Sequence, residues 1–182
     1  MTLAHLLAAV CAYSWSWLLL VNADYNITID DTNTTAIQYH PTSCATGVGE
    51  WQVETASGLY NGSIRFCNVQ EATVTFEFTG AQFLDDVDLL FIDDILTLGV
   101  AVYFLSPLWP YQIGMLASLD ALSADFINVT DPNATTVFNG DSTVSSHPVW
   151  SSTGLDNKPH VLVLSGANSM GGYHDLNVDG FV

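Results

Sequence analysis

VAVYFLSPLWPYQIGMLASLD, residues 100–120, organises the rest of the chain around two apolar halves joined by a proline-rich tip. Its first half, Val100 to Leu105, is β-branched and aromatic and apolar on both alternating faces, the pattern of a strand packed from both sides. Gln112 to Leu119 reads as its antiparallel partner. Between them lies the tip Ser106-Pro107-Leu108-Trp109-Pro110-Tyr111. Proline cannot donate to a ladder, so both prolines belong at a turn rather than in either strand. The expectation is a hairpin whose tip carries its aromatics outward.

Outward from this stretch the pattern stays extended. Thr73 to Thr79 alternates with period two, Val74, Phe76 and Phe78 inward and Thr75, Glu77 and Thr79 outward. His160 to Ser165 is apolar on both faces and belongs in the middle of a sheet. Shorter strands are expected at Tyr25 to Asp30 with Ile27 and Ile29 inward, at Ala36 to Tyr39, Ser63 to Cys67, Phe126 to Val129 and Thr135 to Phe138, and around Val149-Trp150. Tyr173 to Val182 supplies the last strand, Leu176 and Val178 on one side and Asn177 and Asp179 on the other. His40 to Gly62, with Trp51 and Tyr60, reads as a loop. Many short strands punctuated by Gly, Asn, Asp and Pro mean an all-β protein, a two-sheet antiparallel jelly-roll sandwich in preference to a barrel.

Ala81 to Gly99, AQFLDDVDLLFIDDILTLG, interrupts the pattern with five aspartates among Leu and Ile at helical spacing. It reads as an insertion, either a surface helix or a translated intron, since without it Phe78-Thr-Gly80 runs directly into Val100. Asp93-Asp94 at its centre excludes a membrane span.

Compartment follows from the N-terminus and the cysteines. Leu6 to Leu20 is an apolar run closed by Val21-Asn22-Ala23, a signal-peptide helix with cleavage after Ala23; residues 24–182 then form one domain. An uncleaved anchor is the alternative, and the run is shorter than the ~20 residues of a membrane span. Cys11 leaves with the signal. Cys44 and Cys67 then remain as the two thiols of an oxidising compartment, and one disulfide between them is expected. Sequons at Asn26, Asn33, Asn61, Asn128 and Asn133 agree with secretion and mark surface positions.

Arg65 and Lys158 are the only lysine or arginine side chains against 19 acids, a net charge of −17. Nucleic acid is excluded as a partner, because phosphate binding needs clustered Lys and Arg. An acidic surface keeps an extracellular domain soluble.

The ordered segments ITID, VTFEFTG, VAVYFLSPLWPY, a strand ending in Leu119-Asp120, DPNAT, VWSSTGL, HVLVLSG and VDGF resemble a group of basidiomycete secreted and cell-surface proteins. The resemblance spans Tyr25 to Val182 and implies a galactose-binding-domain type of jelly-roll ectodomain, secreted or on the outer face of the plasma membrane. Many such proteins continue into a transmembrane helix and a polar cytoplasmic tail. This sequence departs from them at the Ala81 to Gly99 insertion, at Ala121 where glycine often follows the aspartate, and in having no such downstream segment, so it is either truncated or simply secreted.

Sandwiches of this kind bind sugars with loop aromatics, a flat ring stacking on a pyranose face while Asp or Asn takes the hydroxyls. Trp109 and Tyr111 are the candidate contacts, with Asp120 as the polar partner and Asn128 as a second. The competing reading tucks Trp109 under the tip as core. Asp30, Asp31 and Asp179 could hold a structural calcium; no other cofactor is expected. No catalytic residue is assigned: Ser169 lacks a nucleophile elbow, and His40, His147, His160 and His174 lack ligand spacing. The expected function is a non-catalytic module binding carbohydrate or a cell-wall component. A structural or adhesive ectodomain without sugar affinity and a glycan-acting hydrolase are the alternatives.

Overall fold

The computed structural model describes residues 27–42, 44, 51–79, 100–134, 142–167 and 176–182. The expected signal peptide, Asn26, the Ala81 to Gly99 insertion, the Thr135 to Phe138 strand, Ser169 and His174 lie outside these residues.

The chain forms an all-β sandwich. Twelve strands are named here in chain order: β1 Ile29–Asp30, β2 Ile37–His40, β3 Gln52–Thr55, β4 Ser63–Cys67, β5 Thr73–Thr79, β6 Val100–Leu108, β7 Gly114–Leu119, β8 Asp125–Asn128, β9 Val144–Leu155, β10 Pro159–Gly166, β11 Leu176–Val178 and β12 Gly180–Phe181. They make a four-stranded sheet ordered β1-β12-β6-β9, a five-stranded sheet ordered β2-β5-β10-β7-β8, and a three-stranded sheet ordered β11-β4-β3. The expected sandwich is present, built among the described residues from three sheets rather than two. The third arises because the stretch expected to be loop contains β3, which pairs with β4.

The largest correction concerns residues 100–120. β6 and β7 do not pair with each other. β6 lies between β12 and β9, and β7 between β10 and β8, so the chain crosses from one sheet to the other between them. Strands that bury both faces do not encode their neighbour, and sequence adjacency suggested the wrong one. Pro107 belongs to β6 and not to a turn, buried beside a register shift between Ser106 and Leu108. At such an irregularity a missing N–H costs the ladder nothing.

The alternation in β5 appears as expected, Val74 and Phe76 buried and Glu77 exposed. Phe181 stacks on Phe76 at 4.3 Å between centroids and meets Phe104 at 5.6 Å, so rings from β5, β6 and β12 join the two larger sheets. β10 is central in its sheet, as its apolar run implied. Ile27, expected inward, is 58% exposed, because the first strand is confined to Ile29–Asp30.

Asn177 and Asp179, placed on a polar face by alternation, are both buried. The last strand is in fact two, broken at Asp179, with β11 joining β4 and β12 joining β1 and β6. Cys44 and Cys67 form a disulfide with Cα atoms 5.2 Å apart. Asn61, Asn128 and Asn133 are exposed and Asn33 is half-buried, so no described acceptor asparagine lies in the core. No helix among the described residues is long and apolar enough to cross a membrane.

Candidate functional site

Across the three-stranded sheet Asn177 and Gln52 stand either side of Phe66, and Glu54 stands opposite Ile64. Residues directly opposite in a ladder share a face, as do residues two apart in a strand. Glu54, Ile64, Phe66 and Asn177 therefore project together. Facing them are Trp109 and Tyr111 from the segment that leaves β6. The six side chains enclose a pit of about 90 Å³.

The aromatic wall is fixed by backbone bonds. Trp109 N–H donates to the Val129 carbonyl at 2.9 Å, and Asp131 N–H donates to the Trp109 carbonyl at 2.7 Å. Val129 N–H donates to Ile113 at 3.2 Å, and Ile113 N–H to the Thr130 hydroxyl at 3.2 Å. Residues 109–113 are thus tied to residues 129–131, and the two prolines flanking Trp109 remove donors that such a crossing would leave unpaired. Trp109 and Tyr111 rings lie 5.8 Å apart, tilted by 45°.

Trp109 is 3% exposed, so its side chain does not project from an open tip as expected; it forms one wall of the pit, with Tyr111 half-buried beside it. The Trp109 indole N–H is buried and has no acceptor among the described residues. Such a donor costs about 1–3 kcal/mol until an acceptor reaches it.

Asp120 stands elsewhere. It follows Leu119 at the far end of β7, a strand length of about 20 Å from the Trp109 loop. Its carboxylate is committed: Oδ1 accepts from Val161 N–H at 3.0 Å and Oδ2 from His160 Nδ1 at 2.8 Å. His160 Nε2 donates to the Asp156 carbonyl at 2.8 Å. Both ring nitrogens face acceptors, so the arrangement suits the imidazolium. The Asp156 carbonyl, and then the Asp120 carboxylate, raise the His160 pKa against its burial. The Val161 N–H, followed by His160, lowers that of Asp120. Asn128, the second polar candidate, spends Oδ1 on the Thr130 N–H at 3.0 Å.

Asp30, Asp31 and Asp179 do meet, where β1 runs beside β12. Asp31 N–H donates to the Asp179 carbonyl at 3.2 Å. Their carboxylates, however, turn to separate protein donors: Asp179 accepts from Tyr60 N–H at 3.0 Å, Asp31 Oδ1 from the Ser63 hydroxyl at 2.8 Å, and Asp30 from the Thr32 hydroxyl. Arg65 Nε lies 3.8 Å from Asp31 Oδ2, too far for a hydrogen bond. Burial raises the pKa of Asp31, and that of Asp179 to about 6. Among the described residues no group of three or more His, Cys, Asp or Glu side chains is arranged to hold a metal ion.

The sequence pointed to Trp109 and Tyr111 but missed Glu54 and Asn177. Glu54 lies in the short alternating run Gln52-Val-Glu-Thr55, whose period of two was the available signal. Asn177 is one residue between two apolar neighbours, which is also how an outward residue looks.

No protein-family model matches the chain, and no curated protein is similar to it. Among solved structures, an exo-β-1,3-galactanase from Phanerochaete chrysosporium in complex with β-1,3-galactotriose is similar at 13% identity and TM-score 0.49, over 85% of this chain and 28% of that one. The galactose-bound structure of that enzyme gives 14% and 0.48, over 86% and 29%. A family GH115 4-O-methyl-α-glucuronidase with specificity for decorated arabinogalactans gives 13% and 0.41, over 79% and 17%. The chain spans less than a third of the length of each.

Proposed function

We propose that this domain is a non-catalytic extracellular module that binds the end of a carbohydrate in the Trp109–Tyr111 pit. The convergence of two aromatic rings, a carboxylate and a buried amide on one depression carries this reading. A tilted aromatic pair offers an apolar face to sugar C–H groups, while Glu54 accepts from hydroxyls and Asn177 both donates and accepts. A sugar oxygen at the pit wall would also offer the Trp109 N–H an acceptor, which the described residues do not supply.

Size favours a chain end. A pit of about 90 Å³ is far smaller than the ~300–1,000 Å³ pockets that engulf drug-sized ligands, so one ring edge enters and the rest of the glycan stays outside. The described lining carries one carboxylate, Glu54, whereas glycoside hydrolysis normally uses two flanking the scissile bond. The disulfide and the exposed sequons support placement outside the cell, where a cell-wall glycan would be met.

A glycan array followed by titration calorimetry tests the reading. Wild-type protein binds at least one oligosaccharide class, and Tyr111→Ala, a half-buried position whose loss spares the sandwich, weakens that binding about tenfold. An array without signal, or a Tyr111→Ala protein that binds as tightly as wild type, overturns it.

A further inference from the structure

Phe126, in β8 at the edge of the five-stranded sheet, is 65% exposed. Two residues further on stands Asn128 of the sequon Asn128-Val129-Thr130, and residues two apart in a strand share a face. We infer that Asn128 carries an N-linked glycan whose first sugar packs on the Phe126 ring and covers the outer face of β8. This is independent of the pit and rests on the placement outside the cell.

Alternation puts the ring and the acceptor together. Ile127 and Val129 are buried while Phe126 and Asn128 are exposed, so both look away from the core. The position of the ring brings it closer still. Gly114 pairs directly with Asn128, and Leu116 with Phe126. A Cβ at Gly114 would come within 2.6 Å of Phe126 Cε2 and 2.7 Å of Cζ, so the ring leans diagonally into the space a side chain at 114 would fill. That space faces Asn128 across the ladder, where opposite Cβ positions stand about 4.5–5.5 Å apart. A sugar on Asn128 therefore meets an aromatic ring instead of bare backbone, and aromatic faces take sugar C–H groups. The amide is also oriented. Asn128 Oδ1 accepts from Thr130 N–H at 3.0 Å, which leaves the nitrogen, the atom that bears a glycan, on the other branch. The other described sequons lack this arrangement: Asn33, Asn61 and Asn133 lie outside the strands, and the residues two before them are Asp31, Leu59 and Asp131.

Attachment is a group transfer from an oligosaccharide carried on a lipid diphosphate. The Asn128 nitrogen bonds to the anomeric carbon of the first sugar, the carbon–oxygen bond to the diphosphate breaks, the lipid diphosphate leaves, and the nitrogen gives up one proton. A bulky sugar on an edge strand also blocks edge-to-edge pairing with a second chain.

The test uses the full chain with its own N-terminus, produced in a eukaryotic secretory host. Glycopeptide mass spectrometry finds Asn128 occupied. The glycans are then trimmed to the first sugar, and urea unfolding is followed through a double-mutant cycle of Phe126→Leu and Asn128→Gln. Ring and glycan couple by about fivefold in the folding equilibrium constant, the size of one aromatic contact. The same cycle on sugar-free protein from a bacterial periplasm gives no coupling. Gly114→Ala, which pushes the ring aside while keeping it, removes the coupling from the glycosylated protein. Protons of the first sugar show an upfield ring-current shift that Phe126→Leu abolishes.

Glycans at Asn33, Asn61 or Asn133 with Asn128 bare overturn this inference and leave the placement outside the cell standing. A chain with no occupied sequon brings down both. An occupied Asn128 without coupling to Phe126 overturns the packing on the ring, as does a coupling that persists in the sugar-free protein, since the sugar would then not be its source.

Discussion

At the His160 clasp two ring nitrogens meet two acceptors 2.8 Å away, and the Asp120 carboxylate that answers them also holds a backbone N–H. At the corner where β1 runs beside β12, three carboxylates gather and one guanidinium, that of Arg65, lies 3.8 Å from Asp31, while Asp30 Oδ1, Asp31 Oδ2 and Arg65 Nε have no hydrogen-bond partner among the described residues. Both regions are polar groups in a β-sandwich, and both bury titratable side chains: His160 is 2% exposed, Asp31 and Asp179 not at all. The difference is in matching. Where donors and acceptors pair, the hydrogen bonds hold the charged form against burial; where acids outnumber their cation, burial pushes toward the neutral form.

The widest test of that contrast is His160→Ala. It removes a buried ring stacked 5.3 Å from Phe78 and strands the Asp156 carbonyl. A loss of about 2–4 kcal/mol in urea unfolding is expected; a loss below about 0.5 kcal/mol would show that the clasp is ornamental.

Arg65→Met should cost less, about 2 kcal/mol near neutrality, because the pair is not hydrogen-bonded and part of the guanidinium reaches solvent. The cost should shrink toward about pH 5 as the acids take up protons. A pH-independent cost would mean that Arg65 acts through packing on Tyr39 alone.

The smallest effect is in the pH profile of the wild type. Asp179 has a folded pKa of about 6 against 3.8 for the free side chain, so the folded protein binds the proton more tightly. Acidification through that window therefore stabilises the fold, and the gain is lost again as pH rises past about 6. His160 has the same sign, since its raised pKa gives stability that is complete below its ordinary value and fades as pH rises through the folded one. Asp120 has the opposite sign, and its contribution disappears only as pH falls below the usual carboxylate range. Stability should thus peak on the acid side, gaining about 1–2 kcal/mol between about pH 7.5 and about pH 5. Asp179→Asn should flatten part of that slope, and an unchanged slope would remove Asp179 from the explanation.

How much of this could be read from residues alone depended on whether the information was local. Thr73 to Thr79 declared its inward and outward faces because alternation is a property of one strand. Val100 to Leu105 declared itself a strand, but a segment apolar on both sides carries no mark of its partners, and the hairpin with Gln112 to Leu119 proved to be a crossing between sheets. The clustering of Trp109 and Tyr111 around Pro110 was legible, and that they stand in a pit was not, since Glu54 and Asn177 come from strands more than a hundred residues apart. Asp179 was misplaced for a related reason: a break that sends two halves of one strand into different sheets leaves no trace in a period of two.

The pairing of β1 with β12 also sets a timetable. Ile29 finds its partner only when Phe181 has been made, and Phe181 is the ring that Phe76 and Phe104 both require. A nascent chain leaving the ribosome must therefore keep its first strand and an open aromatic seam waiting until residue 181 has emerged. A chaperone that meets the nascent chain would find that seam before the protein itself could close it.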